Sequence, residues 1–322
     1  MMRAFVVAAT LVWLPACSFD AAPAPGNTTV VVFDVPKGSS ARGIGDELAG
    51  AGLVTSASNW EWFLRLGADG SCLKAGKHRA TPGMNAGELL AALCGPPVPD
   101  DVPFTVVEGW RAKDIDAALV EKGLVKPGEY LEASQRGSDY RAGYALPAGG
   151  LEGFLYPETY LVSPGDFTAK AFVQRQLDLL GERFANTADT GPRSLEQVVI
   201  VASMIEREEP SPANRALVAG IMWKRLDAKW NLGIDATSRY TLADWNDEKA
   251  FLKQLFDPAE PYNTRLRPGL PPTAIGSPGQ RSLDAALHPE TTEYWYYLHD
   301  ATGTIHPSKN AAEHDRLKRK YL

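Results

Sequence analysis

The chain has 322 residues, of which 44% are hydrophobic and 22% are charged, and its formal net charge is −6. This composition is typical of globular proteins and excludes a disordered or fibrous chain. The negative charge argues against a nucleic-acid partner, because phosphate binding favours a basic surface. The length predicts about two domains, and beyond the N-terminal segment no apolar run is long enough to cross a membrane.

The N-terminal segment predicts export. Residues 1–16 combine Arg3 with an apolar run, as in a secretory signal peptide, and end in Leu-Pro-Ala before Cys17. This ending resembles a bacterial lipobox, in which the cysteine is lipidated and becomes the mature N-terminus. A plain signal peptide or a short anchor helix is the alternative. We expect a lipid on Cys17 and a flexible tether over residues 17–29, where Ala, Pro and Gly predominate.

Two cysteines remain in the exported part, Cys72 and Cys94. An oxidising compartment favours a disulfide between them. The alternative is two buried free thiols, because sequence does not show whether the two Cα atoms are close enough to be bridged.

An internal repeat appears when residues 33–54 are aligned without a gap to residues 104–125. Each copy begins with alternating apolar residues, which predict a short strand, and continues through a glycine turn into a helix. Gly52 and Gly123 are placed to end the two helices. The identical pairs are Phe33/Phe104, Val35/Val106, Gly38/Gly109, Ala41/Ala112, Ile44/Ile115, Leu48/Leu119, Gly52/Gly123, Leu53/Leu124 and Val54/Val125.

Between the copies, the pattern predicts a helix over residues 56–66, a strand over 73–79 and a helix from an Asn85 cap through Leu93. After residue 148 the predicted helices are longer and proline-rich loops separate them. We therefore place the domain boundary there, with one region over residues 30–148 and another over 149–322.

The first long helix of the second region has a clear start and stop. Ser194 and Gln197 fit a capping box, and the nearly continuous apolar run over residues 198–205 predicts a helix buried on most sides. Pro210 disfavours helical geometry in the residue before it and so ends the helix. Ser211 is then placed to cap a second helix, with Pro212 in its first turn.

Three carboxylates, Glu206, Glu208 and Glu209, lie at the C-terminal end of this buried helix. The helix dipole, mutual repulsion and burial all favour the protonated form of a carboxyl group there, as a general acid requires. A solvated helix end neutralised by Arg207 is the alternative. Since Glu206 and Glu208 are two residues apart, they point to roughly opposite sides, and at most one can face a given cleft.

No other chemistry has comparable support in the sequence. There is no Walker loop, nucleophile elbow or dinucleotide fingerprint, and no metal or organic cofactor is implied. The histidines, whose spacing is not typical of a metal site, are His78, His288, His299, His306 and His314.

Five segments occur in an order that resembles the MltG/YceG-like endolytic murein transglycosylases. They are LEGFLYPETYLV (151–162), ASMIEREEP (202–210), LGIDATSRY (232–240), PYNTRLRPGLPPTAIGSPG (261–279) and SLDAALHPE (282–290). The resemblance implies an α+β fold, with LysM-like βα modules over residues 30–148 and a mixed α/β catalytic domain over residues 149–322.

The resemblance also implies a reaction. Such enzymes cleave the β-1,4 bond between N-acetylmuramic acid and N-acetylglucosamine in nascent strands and leave 1,6-anhydro ends. One glutamate, the second of the family's Glu-Lys-Glu pattern, acts first as acid and then as base. Here the pattern reads Glu206-Arg207-Glu208, and the match therefore selects Glu208, with Glu206 in a supporting place.

Four further positions are implied by the match. Glu152 is expected to orient the catalytic carboxyl, to bind sugar or to form a structural salt bridge. Asp235 is expected to stabilise positive charge or bind sugar hydroxyls, although its motif has lost the family's Gln and Pro. Tyr262 and Asn263 are candidates to contact saccharide. His306 lies in an altered motif, Ile-His-Pro-Ser at residues 305–308, and inherits no role.

The partners implied are peptidoglycan glycan strands, a membrane reached through the lipid, and peptidoglycan synthases. The protein is then expected on the periplasmic side of the cell envelope, with the choice of membrane left open. Two other functions remain at this point: a non-catalytic glycan-binding lipoprotein and a muramidase that uses water.

Overall fold

The computed structural model describes residues 20–98 and 100–322. The predicted signal peptide over residues 1–16, Cys17 and the start of the predicted tether lie outside the described residues. In the described part, no helix is both long and apolar enough to cross a membrane. The chain divides into two compact units, of which the first ends at Asp100 and the second begins at Asp101.

The N-terminal unit contains two paired antiparallel strands, which two helices and a 3-10 turn separate along the chain, and a third helix that follows them. Strand β1 pairs with β2, with Phe33 opposite His78. Leu48, Trp60 and Leu89 are fully buried in the core of this unit. The elements are β1 (Val31–Val35), α1 (Ala41–Gly50), α2 (Ala57–Arg65), a 3-10 turn (Gly70–Cys72), β2 (Gly76–Ala80) and α3 (Ala86–Cys94).

Local capping explains where these helices begin. Ser56 Oγ accepts a hydrogen bond from Asn59 N at 3.1 Å at the start of α2. Asn85 and Glu88 form a reciprocal capping box at the start of α3. The helices predicted over residues 56–66 and 85–93 and the strand predicted over 73–79 are thus confirmed, with ends that differ by a few residues.

The described part of the predicted tether contacts the N-terminal unit. Ala24 N donates to the carbonyl oxygen of Pro82 and Gly83 N donates to that of Asn27, each at 2.9 Å. Asp20 Oδ1 also accepts a hydrogen bond from Gly87 N at 3.0 Å. Residues 20–27 are therefore bound to the unit, because their backbone groups find partners in the turn before α3.

Among its described residues, the larger unit contains two short helices of five residues each, seven longer helices and two small antiparallel sheets. Its elements are β3 (Val102–Thr105), α4 (Ala112–Glu121), α5 (Glu129–Ala133), a 3-10 turn (Gly137–Asp139), β4 (Thr159–Val162), α6 (Ala169–Leu180), a π-helical turn (Gly181–Ala185), α7 (Leu195–Glu208), a 3-10 turn (Pro212–Asn214), α8 (Arg215–Asp227), α9 (Asp235–Arg239), α10 (Glu248–Leu255), α11 (Gln280–Leu287), β5 (Tyr296–His299), β6 (Ile305–Ser308) and α12 (Ala311–Tyr321). β3 pairs with β4, and β5 pairs with β6. The fold is thus a mixture of helices and small antiparallel sheets.

Both copies of the repeat form a strand, a turn and a helix. Helices α1 and α4 begin and end at equivalent repeat positions. Gly52 and Gly123 follow them with φ of 69° and 68°, a left-handed conformation that glycine adopts without steric cost. The predicted repeat is therefore confirmed, down to the residue that ends each helix.

The second copy does not share a compact unit with the first. β3 pairs with β4, and Ile115 and Leu119 of α4 are buried in the same core as Leu151. The boundary predicted near residue 148 differs from the observed division for this reason: residues 101–148 contribute apolar side chains to the larger unit's core.

Helix α7 runs through the centre of the larger unit. All its residues from Val198 to Ile205 are buried, as the nearly continuous apolar run predicts. Helix α8 differs from the prediction at its start, because Ser211 makes no side-chain cap and a 3-10 turn over Pro212–Asn214 precedes the α-helix.

Cys72 and Cys94 form a disulfide with their Cα atoms 5.0 Å apart, which joins the 3-10 turn of the N-terminal unit to the end of α3. A bridge across this loop restricts the unfolded chain. We expect Cys72→Ala/Cys94→Ala to lower the free energy of unfolding of the N-terminal unit by about 3 kcal/mol. Chemical denaturation of the wild-type protein with and without reductant, beside the double variant, measures this. Equal midpoints in all three samples would contradict it.

Candidate active site

The C-terminal end of α7 carries the three glutamates noted in the sequence. Ser194 Oγ accepts from Gln197 N at 3.1 Å and Gln197 Oε1 accepts from Ser194 N at 2.9 Å, so the predicted capping box starts the helix. The helix ends at Glu208, and Glu209 has extended backbone angles before Pro210. This change of direction sends the carboxyl groups to different partners.

Glu206 forms a buried ion pair with Arg215. Arg215 Nη2 and Nη1 donate to the two carboxylate oxygens at 2.9 and 3.2 Å, and Gly279 N donates to Oε2 at 2.9 Å. The side chains of the pair are 6% and 7% exposed. Glu206 is thus held within the protein, away from the direction taken by Glu208, as the spacing predicts.

Glu208 lines an open cavity of about 800 Å³. Its burial raises its pKa above the ordinary value, and the negative charge of Asp235 adds to this effect. Hydrogen bonds from Tyr297 Oη, at 3.1 Å, and from Ala236 N lower the pKa, as does the nearby His299. Because burial is the largest of these effects, Glu208 retains its proton to higher pH than an exposed glutamate.

Asp235, the first residue of α9, lines the same cavity. Arg265 Nε donates to Asp235 Oδ1 at 2.6 Å, and both side chains are about half exposed. The cavity therefore combines a carboxyl group with a raised pKa and a carboxylate that has a cation beside it. The lining also includes basic and aromatic side chains: Arg225, Lys229, Arg265, Lys318, Trp230, Tyr296 and Tyr297.

Glu209 is fully buried and binds His299, a residue that our sequence analysis did not select. Glu209 Oε2 lies 2.9 Å from His299 Nε2, and Ser211 N donates to Oε1 at 2.7 Å. Tyr297 and His299 are two residues apart on β5, so they project from the same face of the strand. The sequence indicates that these two side chains share one face of a strand, but no local signal indicates which helix that face contacts.

The alternative of a solvated helix end neutralised by Arg207 does not describe this structure. The Arg207 guanidinium lies over the ring of Trp245, 3.6 Å from its centroid, and burial lowers its pKa. The cation that pairs with Glu206 is Arg215, nine residues further along the chain.

Glu152 lies in a second cavity, of about 440 Å³, separate in its lining residues from that of Glu208. Its carboxylate accepts from Ala112 N at 3.1 and 3.2 Å and from Tyr240 Oη at 2.9 Å. The Leu-Glu-Gly turn approaches α7 closely, since a Cβ on Gly153 would lie 2.8 Å from Val199 Cγ1. Glu152 and Glu208 thus line different cavities, and the hydrogen-bonding partners of Glu152 are Ala112 and Tyr240.

The other two candidates from the sequence are also away from Glu208. Tyr262 lines the Glu152 cavity, bonds Thr273 Oγ1 at 2.8 Å and lies against the ring of Tyr240. Asn263 is fully buried, and its Nδ2 donates to the carbonyl oxygens of Gln254 and Leu255 at 3.1 and 3.0 Å. Asn263 thus holds a loop, and a saccharide contact from it is excluded by burial.

The described residues hold no cluster of three or more His, Cys, Asp or Glu side chains arranged to bind a metal ion. His306, at the altered motif, pairs with Asp300 Oδ2 at 2.7 Å and stacks on Tyr321. It is outside the lining of the Glu208 cavity.

The chain is similar to known proteins over most of its length. The model of the YceG-like family matches residues 33–320. The chain is 26% identical to the endolytic murein transglycosylase of Bacillus subtilis over 91% of this chain and 85% of that protein. It is 22% identical to the endolytic murein transglycosylase of Streptococcus pneumoniae, covering 89% of this chain but 57% of that longer protein.

The fold is also similar to that of a solved structure. The crystal structure of a YceG-like protein from Listeria monocytogenes superposes with a TM-score of 0.59 at 25% identity. The match covers 90% of this chain and 99% of the Listeria chain.

Burial raises the pKa of Glu152 from 4.5 to about 7. At pH values between these two, the folded protein therefore holds a proton that the unfolded chain has released. The stability from this group is therefore present below pH 4.5 and is lost as the pH rises through 7. We expect wild type to lose about 2 kcal/mol more unfolding free energy than Glu152→Gln between pH 5 and pH 8. Urea unfolding at both pH values measures this. The exposed Glu121→Gln is the control, and equal losses in wild type and Glu152→Gln would refute the expectation.

Proposed function

The chain belongs to the YceG-like family, and we propose that it is an endolytic murein transglycosylase. It cleaves the β-1,4 bond between N-acetylmuramic acid and N-acetylglucosamine and leaves 1,6-anhydro ends on the strand. The observation that carries this proposal is the position of Glu208, a carboxyl with a raised pKa that lines an open cavity beside Asp235. The names of the Bacillus and Streptococcus relatives support it.

In the proposed mechanism Glu208 acts twice. Its protonated carboxyl gives a proton to the glycosidic oxygen as the bond from that oxygen to C1 of the muramic residue breaks. The carboxylate that results takes the proton of the C6 hydroxyl while the C6 oxygen bonds to C1. The ring closes as a 1,6-anhydro sugar, and Glu208 is protonated again, so no water is consumed.

Asp235 has an electrostatic role in this mechanism. Positive charge develops at C1 as the bond breaks, and a carboxylate in the same cavity stabilises it. In retaining hydrolases a second carboxylate instead attacks C1. The ion pair between Asp235 and Arg265, at 2.6 Å, supports the electrostatic role because it holds the carboxylate in place and lowers its nucleophilicity.

The remaining glutamates support the site indirectly. Glu206 holds the end of α7 through Arg215. Glu152 bonds Tyr240, the residue directly after α9, and α9 begins at Asp235. The two cavities are thus joined by one short helix, and we assign Glu152 and Tyr262 to the support of that helix.

We further propose that the protein acts in the cell envelope on nascent strands. A lipid on Cys17 would hold it to a membrane on the periplasmic side, near peptidoglycan synthases. The N-terminal unit, which ends at Asp100, would bind glycan as a LysM-like unit, and the catalytic region would be the larger unit over residues 101–322. In this unit α1 and α2 lie between the paired strands β1 and β2 along the chain and α3 follows, and the strand–helix–helix–strand order supports such a module.

Mass analysis of the products from purified glycan strands tests the proposed reaction. We expect 1,6-anhydro-muramic ends, because Glu208 can take the C6 hydroxyl proton without a second catalytic carboxylate. Reducing ends would instead establish a muramidase that uses water. A strand that is bound but stays intact would establish a non-catalytic glycan-binding protein.

The choice between the two helix-end glutamates is tested by matched substitutions. Glu208→Gln removes the transferable proton and is expected to abolish turnover, a loss of about 100-fold or more, with a melting temperature that is unchanged or higher. Glu206→Gln keeps the proton donor but breaks the buried ion pair, so we expect about 3 kcal/mol lower stability and residual turnover. If Glu208→Gln turns over and Glu206→Gln does not, the assignment is wrong.

Tyr297→Phe tests the proton affinity of Glu208. The phenol O–H stabilises the charged carboxylate, so its removal raises the pKa of Glu208 further. Activity requires the protonated acid, and the alkaline limb of kcat/KM should therefore move to higher pH, by roughly one unit. Tyr294→Phe, on the same segment but outside the cavity lining, is the control. A limb that stays in place or moves to lower pH would contradict this role.

A further inference from the structure

Strand β5 places two side chains against two consecutive glutamates. Tyr297 Oη donates to Glu208 Oε2 at 3.1 Å, and His299 Nε2 lies 2.9 Å from Glu209 Oε2. The first contact lowers the pKa of Glu208, the catalytic residue of the mechanism proposed above. The second contact has no part in it, although His299 lines the same cavity as Glu208.

The state of the imidazole follows from the burial of Glu209. Its side chain is fully buried, and a buried carboxylate is stable only with hydrogen-bonding partners, here Ser211 N at 2.7 Å and His299. A carboxylate can only accept, so the tautomer that satisfies this contact has His299 Nε2 as the donor. The other ring nitrogen, Nδ1, forms no hydrogen bond with the residues that the structure describes, and the side chain is 24% exposed.

We propose that His299 is a glycan-binding residue of this cavity, with its Nδ1 hydrogen-bonded to a sugar hydroxyl and Glu209 as the residue that positions it. The ligand class follows from the proposed function, on which this inference rests. A hydroxyl suits Nδ1 in both states of the ring, because it donates to the neutral imidazole and accepts from the protonated one. Glu209 is buried and acts only through His299.

Substitution by glutamine separates the two ring nitrogens. The side-chain amide of His299→Gln can reach the place of Nε2 and donate to Glu209, but it has no equivalent of Nδ1. The Kd of a tetrasaccharide of alternating N-acetylglucosamine and N-acetylmuramic acid is measured in the Glu208→Gln background, where no cleavage occurs. We expect His299→Gln to weaken binding by about 5- to 20-fold. In the otherwise wild-type enzyme, KM should rise more than kcat falls.

A second histidine–carboxylate pair provides the matched control. His306 Nε2 lies 2.7 Å from Asp300 Oδ2, and the histidine side chain is 18% exposed, but it is outside the cavity lining. His306→Gln is expected to leave the Kd unchanged.

The positioning role of Glu209 has its own readout. Glu209→Ala should weaken binding as much as His299→Gln, and the two changes together should cost no more than either alone. Glu209→Gln, which keeps an oxygen to accept from Nε2, should restore most of the affinity. A merely structural contact would give additive losses without this rescue.

Equal affinities for His299→Gln and His306→Gln would overturn the inference, and so would a Glu208→Gln protein that does not bind the tetrasaccharide. If His299→Gln fails to fold, the test uses the ¹⁵N resonance of His299 Nδ1 in the folded Glu208→Gln protein. We expect this resonance to shift when the protein is saturated with the tetrasaccharide. A resonance that does not shift would overturn the inference. Failure of the proposed function would give a different result from failure of this inference. The wild-type protein would leave glycan strands intact, while the binding that depends on His299 would persist.

Discussion

The buried ion pair between Glu206 and Arg215 fixes the helix end on which the cleft depends. The same guanidinium donates to the carbonyl oxygen of Glu209 at 3.0 Å and to Ser282 Oγ at 2.9 Å. It therefore joins the end of α7 to the starts of α8 and α11. A planar group with five donors can do this, whereas a lysine ammonium cannot reach the same set of acceptors in fixed directions. Because the helix end is held in this way, Glu208 can face the open cavity without an ion pair of its own.

Much of this arrangement was predictable because it depends on neighbours in the chain. The capping box at Ser194, the extended residue before Pro210 and the opposite directions of Glu206 and Glu208 each follow from the local stereochemistry of a helix end. The partners of the glutamates were not predictable in this way. Arg215 and His299 arrive from other elements, and only tertiary packing decides which face of β5 meets α7.

The match to the family's motifs does not indicate which of the matched residues share one surface. Glu152 and Tyr262 belong to a second cavity, and Asn263 is sealed inside a loop. Similarly, the repeat correctly predicts two strand–turn–helix copies but not the core that each one joins. The same apolar pattern can be buried against any complementary face, so β3 and α4 are equally suited to a separate module and to the larger unit.

The hairpin of β5 and β6 has a consequence for how the chain can vary. Asp300 Oδ1 accepts from Thr302 N at 2.9 Å and from Thr304 N at 3.0 Å, and Gly303 has a φ of 80°, so the connection has a defined length. Side chains alternate along a strand, and a slip of one residue would turn Leu298 toward the glutamates in place of its two neighbours. Exposed loops usually accept insertions and deletions freely. This one is exposed, yet a change of a single residue in its length would alter which groups reach the cleft.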